Sequence, residues 1–553
     1  HNTVSPIPMG LLVNNKLNYS DQKEKYTWKK VYDNKFAKVD LAEFKGLASS
    51  SRGVVLRKSD YRPYSIYCNK DNIDHYVGEA LWNWNSDYYE SLKGWTKSAV
   101  LTRGYHQLLG YCHPTIYKRG RFDEDMNECY ESNLQFMRNK FERVKVYDLE
   151  TAAQSVPTQS SAGVLHPGKT KGEIMESAKK WVRNAIKLFK QGRKVAHIPY
   201  KLGLRGHLSP VDENKTRGIW MASAELNIME NMIFRGFYET IKHNMGIASI
   251  ILTGKNVMPR LHEYITSNED FTFVNTDVSG WDQLRCRFLM KDVFSKVFKP
   301  LINFEEEWQE RMFDYLVEDF IYSSLLLPDG TVLTKNHGVP SGSFLTLLFN
   351  SVANYIVQKS VLDYLNVECY HPKVLGDDFS FMTRQISQER FDSLIDDISA
   401  CALKFFALTI KPEKVVITNN VSDRKFIGYQ IKNGRLYREV DELFKGVLYP
   451  EHEVDGLDIS FTRLFAFYVI GGCTQPKFVE FYEYYLSGYY DELKKYGDHL
   501  FDLNVMRSGS LRVFKHVYDI DYEAFASLSI DRFRNIFHAK VPFFLTLGSK
   551  SLF

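Results

Sequence analysis

The stretch "KVLGDDFSF", Lys373–Phe381, sets two adjacent carboxylates after a glycine, between two short runs of strand-forming residues. It reads as a β-hairpin with Asp377 and Asp378 at its tip. Two negative charges side by side repel each other, so such a turn needs either full solvation or a compensating cation. For the tripeptide alone a solvated turn is as good an explanation as a metal, because short motifs recur by chance.

A second segment shifts the balance. In "NTDVSGWDQ", Asn275–Gln283, Asp277 ends the alternating strand "FTFVNTD" and Asp282 opens the next helix. A carboxylate at a strand end, near a hairpin tip carrying two more, is the arrangement that binds two Mg²⁺ ions about 3.5–4 Å apart for in-line phosphoryl displacement. Mg²⁺ suits such a site because it takes few carboxylates and completes its shell with water and substrate phosphates. Gly376 would keep side-chain bulk away from an approaching nucleic-acid end. Asp282 at a helix start is expected to act as an N-cap, worth about 1 kcal/mol, a role compatible with accepting a hydrogen bond from a ribose hydroxyl.

Other segments supply polar groups whose meaning depends on company. "GVPSGSFLTLLFN" offers Ser341, Thr346 and Asn350 after a Gly-rich turn, the last two sharing one helical face. By themselves these are ordinary helix-start and core-lining residues. "ENKTRGIW" offers Lys215 and Arg217, alternate residues that point the same way if extended, toward a triphosphate or simply toward solvent. "LTIKPEKV" places Lys411 and Lys414 around Pro412, and a lysine near a departing pyrophosphate can act as a general acid.

The bulk numbers leave room for such a site. A chain of 553 residues exceeds one ordinary core, so several subdomains around a shared cleft are expected. Hydrophobic content of 44%, charged content of 25% and aromatic content of 14% exclude a disordered chain. The net charge of +4 is small, so a nucleic-acid partner must be held by local clusters of Lys and Arg. Seven scattered cysteines without a CxxC pair argue against a disulfide framework or a Cys-built zinc site and fit a reducing compartment. The opening "HNTVSPIPMGLLVNN" has neither the basic region nor the long apolar region of a signal peptide, and a start at His1 rather than Met reads as a processed or trimmed end. The uncharged run Asn336–Gln358 is broken by Gly338, Pro340, Gly342, Asn350 and Asn354, so it is not expected to span a membrane.

Along the chain no repeat stands out. The first 150 or so residues mix basic and aromatic residues, as in "KYTWKKVYDNKFAKV" and "YKRGRF", which suit a solvated surface at least as well as an RNA contact. "VPTQSSAGVLHPGKTKGE" reads as a loop whose backbone could approach a polyanion. Helical spacing then appears in "GEIMESAKKWVRNAIKLFKQG" through Ile174, Ala178, Trp181, Ala185 and Phe189, with Gly192 as the stop. It returns in "DQLRCRFLMKDVFSKVF" through Leu284, Phe288, Val293 and Val297, and in "RFDSLIDDISACALKFFALTI". The part after about Arg438 is aromatic and mostly helical in pattern.

Taken together and in this order, residues 158–430 resemble the palm-centred RNA-dependent RNA polymerases of RNA viruses. "SSAGV" is similar to the family's motif G, "KTRGIW" to F, "DVSGWD" to A, "GVPSGSFLTLLFN" to B, "VLGDD" to C, "LTIKPEK" to D and "FIGYQI" to E. "PSGSF" with "VLGDD" most resembles the partitivirus and picobirnavirus group of double-stranded RNA viruses, although Phe379 stands where that group would lead one to expect Ser.

The resemblance implies an α+β right-hand fold of fingers, palm and thumb, with an antiparallel palm sheet packed on helices and closed fingers and thumb. The implied division is fingers with an N-terminal fingertip region at 1–220, palm at 221–319, a return to the fingers at 320–337, palm at 338–432 and thumb at 433–553. It assigns Asp277, Asp377 and Asp378 to two Mg²⁺ ions, with Mn²⁺ able to substitute, and Lys414 to proton donation. It assigns Asp282, Ser341, Thr346 and Asn350 to the ribose, Arg217 and Lys215 to the triphosphate, and Ser161, Gly163 and Gly342 to the template. Expected partners are an RNA template and product duplex, NTPs and a viral capsid protein, with no membrane, in a virion interior and the host cytoplasm. A reverse transcriptase, usually carrying an aromatic gate where Asp282 stands, and a non-catalytic RNA-binding virion protein are the rival readings.

Overall fold

The computed structural model describes residues 40–66, 72–113, 116–253, 257–471, 475–507 and 523–538. The opening fifteen residues and the basic aromatic stretch at 25–39 lie outside the described residues. In chain order the strands that position the site are β1 (Val54–Lys58), β2 (Tyr200–Gly206), β3 (Thr216–Met221), β4 (Phe271–Ser279), β5 (Ser324–Leu326), β6 (Thr331–Lys335), β7 (Tyr370–Leu375), β8 (Asp378–Arg384), β9 (Thr409–Ile410) and β10 (Val416–Thr418). The helices include α1 (His75–Trp84), α2 (Met175–Lys190), α3 (Ala224–His243), α4 (Glu307–Ile321), α5 (Thr346–Tyr364), α6 (Phe391–Phe406), α7 (Val440–Leu448), α8 (Leu457–Ile470) and α9 (Pro476–Gly488).

Two sheets face the cleft. One runs β1-β6-β5-β2-β3, so residues 324–335 join strands from the first part of the chain. The other runs β7-β8-β4-β9, with β10 also paired to β4, and every pairing in it is antiparallel. Val274, Thr276 and Val278 of β4 are buried while Asn275 and Asp277 between them are not, the alternation a half-buried strand requires. Beneath this sheet lies α5, buried over almost its whole length, which is why its sequence is apolar all round rather than striped. Among the described residues no helix is long and apolar enough to cross a membrane.

The C-terminal helices share a core with an early segment. Ile73, Val77, Leu81, Tyr89 and Leu92 pack with Phe444, Phe461, Phe481 and Tyr485 of α7, α8 and α9. An ion pair to a fully buried carboxylate pins this joint: Arg463 Nη1 donates to Asp74 Oδ2 at 2.6 Å, and Ser460 Oγ donates to Asp74 Oδ1 at 2.9 Å. With β1 in the first sheet and α1 among the C-terminal helices, the early chain bridges the two sides of the cleft.

Local expectations hold with three corrections. The helix after β4 begins only at Arg287, so Asp282 caps nothing: it sits inside the tight 3₁₀ turn Trp281–Gln283, and Cys286 holds the cap position without a side-chain bond. The buried Trp281 imposes that turn, its Nε1 donating to Asn350 Oδ1 at 2.8 Å. The winding then changes from α (Arg287–Asp292) to π (Val293–Phe298). Last, β4 continues past Asp277 to Ser279, because β9 pairs there.

Candidate active site

The hairpin β7–β8 turns on two residues, Gly376 and Asp377, with Leu375 opposite Asp378. Gly376 has φ +59, the sign a two-residue hairpin turn demands at its first central position, so glycine belongs there. Residue Asp378 of β8 lies directly opposite Asp277 of β4 in the antiparallel register. Opposite residues share a face and stand about 4.5–5.5 Å apart at Cβ. The fold thus brings together the three carboxylates read from the sequence.

Their electrostatics are those of crowded, part-buried carboxylates. Burial, then the charges of Asp377 and Asp277, push the Asp378 carboxyl up to about 7. Burial, then Asp377, raises Asp282 to about 6, against the opposing pull of Asn350 and Arg217. Asp377 is open to solvent at the tip, yet protein crowding its other sides and the charge of Asp277 still raise its pKa, while Arg217 lowers it. Lys414, in the turn Pro412–Lys414, reaches Asp277 with Nζ 4.0 Å from Oδ2. It is half-exposed, so this contact leaves the cluster largely uncompensated.

Among the described residues no three His, Cys, Asp or Glu side chains form a ready-made metal cage. The donor set still fits Mg²⁺, which is held by one or two carboxylates plus substrate phosphates and water. Asp277 and Asp378 supply such oxygens from opposing strands, and Asp377 adds one from the tip.

The other predicted residues converge on the same cleft. Asn350 Nδ2 donates to Asp282 Oδ1 at 3.3 Å, so the residues expected to read a ribose are already bonded together. Thr346 opens α5, and its hydroxyl donates to Pro340 O at 2.7 Å, closing the loop before the helix. Ser341 Oγ accepts from Trp220 N of β3 at 3.2 Å. Gly342 forms a parallel bridge to Met221, and a Cβ there would stand 1.9 Å from Trp220 O, so only glycine permits the approach.

Arg217 lies opposite Arg205 in the β2–β3 ladder. Like charges in that relation are destabilising unless an anion joins them. Lys215 and Arg217 line a cavity of about 500 Å³ with Arg103, His106 and His207. Burial, then Arg217, Arg205, Lys97 and Lys215, hold the His207 imidazole down to about 4, so it stays neutral among them. Ser161 and Gly163 sit farther along, in a loop closed by a Ser161–Thr170 bridge and seated on Ser223 at the start of α3. That seat accounts for Gly163 by packing, without a template.

Sequence reasoning missed two residues. Gly376 N donates to Ser351 Oγ at 2.9 Å and Asn354 Nδ2 donates to Gly376 O at 3.2 Å, so α5 grips the aspartate turn from below. The available signal was weak, since Ser351 and Asn354 share their helix with Asn350, Gln358 and Ser360, which are equally polar and buried. Phe379, the residue out of pattern with the related group, is buried with its ring 6.4 Å from that of Tyr355 on α5.

Comparison with known proteins follows the same lines. The RNA-directed RNA polymerase of White clover cryptic virus 1 is 28% identical over 256 residues, covering 41% of this chain and 41% of the relative. The RNA-directed RNA polymerase of Cryptosporidium parvum virus 1 is 25% identical over 334 residues, 56% of this chain and 62% of the relative. The matched region thus spans between two fifths and two thirds of those relatives. The fold matches the crystal structure of the RNA-dependent RNA polymerase of a human picobirnavirus with a TM-score of 0.59 at 13% identity, over 86% of this chain and 94% of that one. The profile of the family described as viral RNA-dependent RNA polymerase matches residues 78–486, a span that contains the aspartate hairpin, its partner strand and the basic cavity, and the chain belongs to that family.

Proposed function

We propose that this chain copies an RNA template into RNA by transferring nucleotidyl groups from NTPs to a growing 3′ end. The observation that carries the reading is the Asp277–Asp378 cross-strand pair with Asp377 at its tip, near enough to Arg217 that the guanidinium lowers the Asp377 carboxyl pKa. Two Mg²⁺ ions, when bound, would activate the attacking hydroxyl and neutralise charge on the phosphates, and Mn²⁺ has the same preference for carboxylate oxygen.

The side chains do the rest. Asp277, Asp377 and Asp378 would hold the cations; Arg217 and Lys215 draw in the triphosphate through the cavity they line. Asp282, oriented by Asn350, accepts from a ribose hydroxyl, with Ser341 and Thr346 on the neighbouring loop. Lys414, with its Nζ 4.0 Å from Asp277 Oδ2, gives a proton to the departing pyrophosphate in this reading. Asp282 stands where a reverse transcriptase would carry an aromatic gate, which favours ribonucleotides.

In this reading the β1-β6-β5-β2-β3 sheet is the core of the fingers, the β7-β8-β4-β9 sheet the palm and α7, α8 and α9 the thumb. The template passes Ser161, Gly163 and Gly342. A capsid protein as partner, and action in a virion interior and the host cytoplasm, follow from the resemblance to polymerases of double-stranded RNA viruses. The test is Asp377→Asn: incorporation is expected to be nearly abolished while RNA binding persists, and an active variant would overturn the assignment.

A further inference from the structure

The loop Gly338–Leu345 carries Ser341 to the cleft, and one buried acid outside all the motifs named above holds that loop. Glu230, in the middle of α3, is 1% exposed. Its Oε2 accepts from the Ser343 hydroxyl, and its Oε1 accepts from Asn227 Nδ2 at 3.0 Å and from Phe344 N at 3.4 Å. The Ser343 oxygen in turn accepts from Leu345 N at 3.1 Å. A relay therefore runs from the start of α5 through Ser343 to the carboxylate. An anion at a helix start is favourable, and a carboxylate accepts all these bonds only while ionised.

A buried carboxylate is a costly way to fill space, since glutamine or leucine of similar volume avoids the desolvation. The neighbouring loop residues suggest what the charge is for. Ser343 lies two residues from Ser341, whose Oγ also meets Trp220 N, and Gly342 between them lies hard against β3. Loosening Ser343 would shift the whole loop.

We infer that Glu230 is a positioning residue for nucleotide selection, its carboxylate fixing the loop through Ser343 and Phe344 so that Ser341 reads the ribose of the incoming nucleotide. The inference rests on the polymerase reading above. Around Glu230 the titratable groups are Asp319 of α4, Tyr200 of β2 and Tyr238 of its own helix. Burial first, then Asp319, raise the Glu230 carboxyl to about 7, against the bonds from Ser343, Asn227 and Phe344. As pH falls through that value, protonation turns one Glu230 oxygen from acceptor to donor and weakens its hold on the Ser343 hydroxyl.

The experiment compares the full chain with Glu230→Gln and Ser343→Ala, measuring kcat/KM for a ribonucleotide and its 2′-deoxy analogue across pH, with RNA Kd beside it. Both variants are expected to lose about tenfold in ribose discrimination, with a raised nucleotide KM and unchanged RNA affinity. Discrimination by the unaltered chain falls as pH drops through about 7, and Glu230→Gln flattens that dependence. Unaltered discrimination in both variants, or a pH dependence retained in Glu230→Gln, would overturn the inference. No incorporation by the unaltered chain would defeat the polymerase reading and this inference with it.

Discussion

The aspartate turn hangs from two hydrogen bonds to α5, and cutting them separately gives a graded test of how position becomes rate. Ser351 and Asn354 are both fully buried. Ser351→Ala leaves Gly376 N, which donates to Ser351 Oγ at 2.9 Å, unpaired where water cannot easily replace the partner. An orphaned buried donor costs about 1–3 kcal/mol. In Asn354→Ala the bond to Gly376 O at 3.2 Å is lost too, but so is a buried Asn354 Oδ1 that has no protein partner, which offsets part of the loss. The net for Asn354→Ala is about 1 kcal/mol plus a small cavity. Chemistry is more sensitive than stability here, because a misplacement of about 1 Å at a reacting centre costs about a hundredfold in rate. Urea unfolding should therefore show Ser351→Ala less stable than the unaltered chain by about 1–3 kcal/mol and Asn354→Ala by about 1 kcal/mol. Single-turnover incorporation at saturating NTP should fall about 10–100-fold, with RNA affinity unchanged. A variant that loses this stability but incorporates at the unaltered rate would refute the claim that α5 sets the position of the catalytic carboxylates.

Three further outcomes follow from the same geometry. Asp378 has a pKa raised to about 7, so the folded chain binds more protons than the unfolded one between the ordinary carboxylate range and that value, and its ionisation there costs stability as pH rises. Without divalent cations, Asp378→Asn should stabilise the chain near pH 8 and lose that advantage near pH 4; an equal effect at both would contradict the crowded-carboxylate picture. Gly342→Ala drives a Cβ to 1.9 Å from Trp220 O, and should displace the loop and raise the nucleotide KM; unchanged kinetics would show the contact is dispensable. Arg463→Ala strands the buried Asp74 carboxylate and should cost about 3–5 kcal/mol in denaturant unfolding, and a loss no larger than that of an exposed ion pair would argue against the joint as drawn.

What the sequence made legible was local. Asp277, Asp377 and Asp378 could be found because a glycine turn between β-formers and an alternating strand each announce themselves within nine residues, and antiparallel register then makes partners of Asp277 and Asp378. Thr346 and Asn350 followed from helical spacing. Asp282 was expected to cap a helix and does not, because the burial of Trp281 decides the turn and burial is a tertiary fact. The packing of residues 73–92 with the C-terminal helices was out of reach for the same reason, since no periodicity links α1 to α8. Ser351, Asn354 and Glu230 are polar residues among other polar residues of their helices, and only the neighbours they meet across the fold, Gly376 and Ser343, give them meaning.

The central claim is that these carboxylates drive RNA-templated RNA synthesis. The most direct measurement is incorporation of labelled ribonucleotides on a single-stranded RNA template, with Mg²⁺ or with chelator, with and without an annealed primer, beside Asp377→Asn. The geometry predicts a template-length product that requires the cation, prefers ribonucleotides over deoxyribonucleotides and disappears in the variant. Product that survives in Asp377→Asn, or no product in either primer condition from a folded chain that binds RNA, would contradict it.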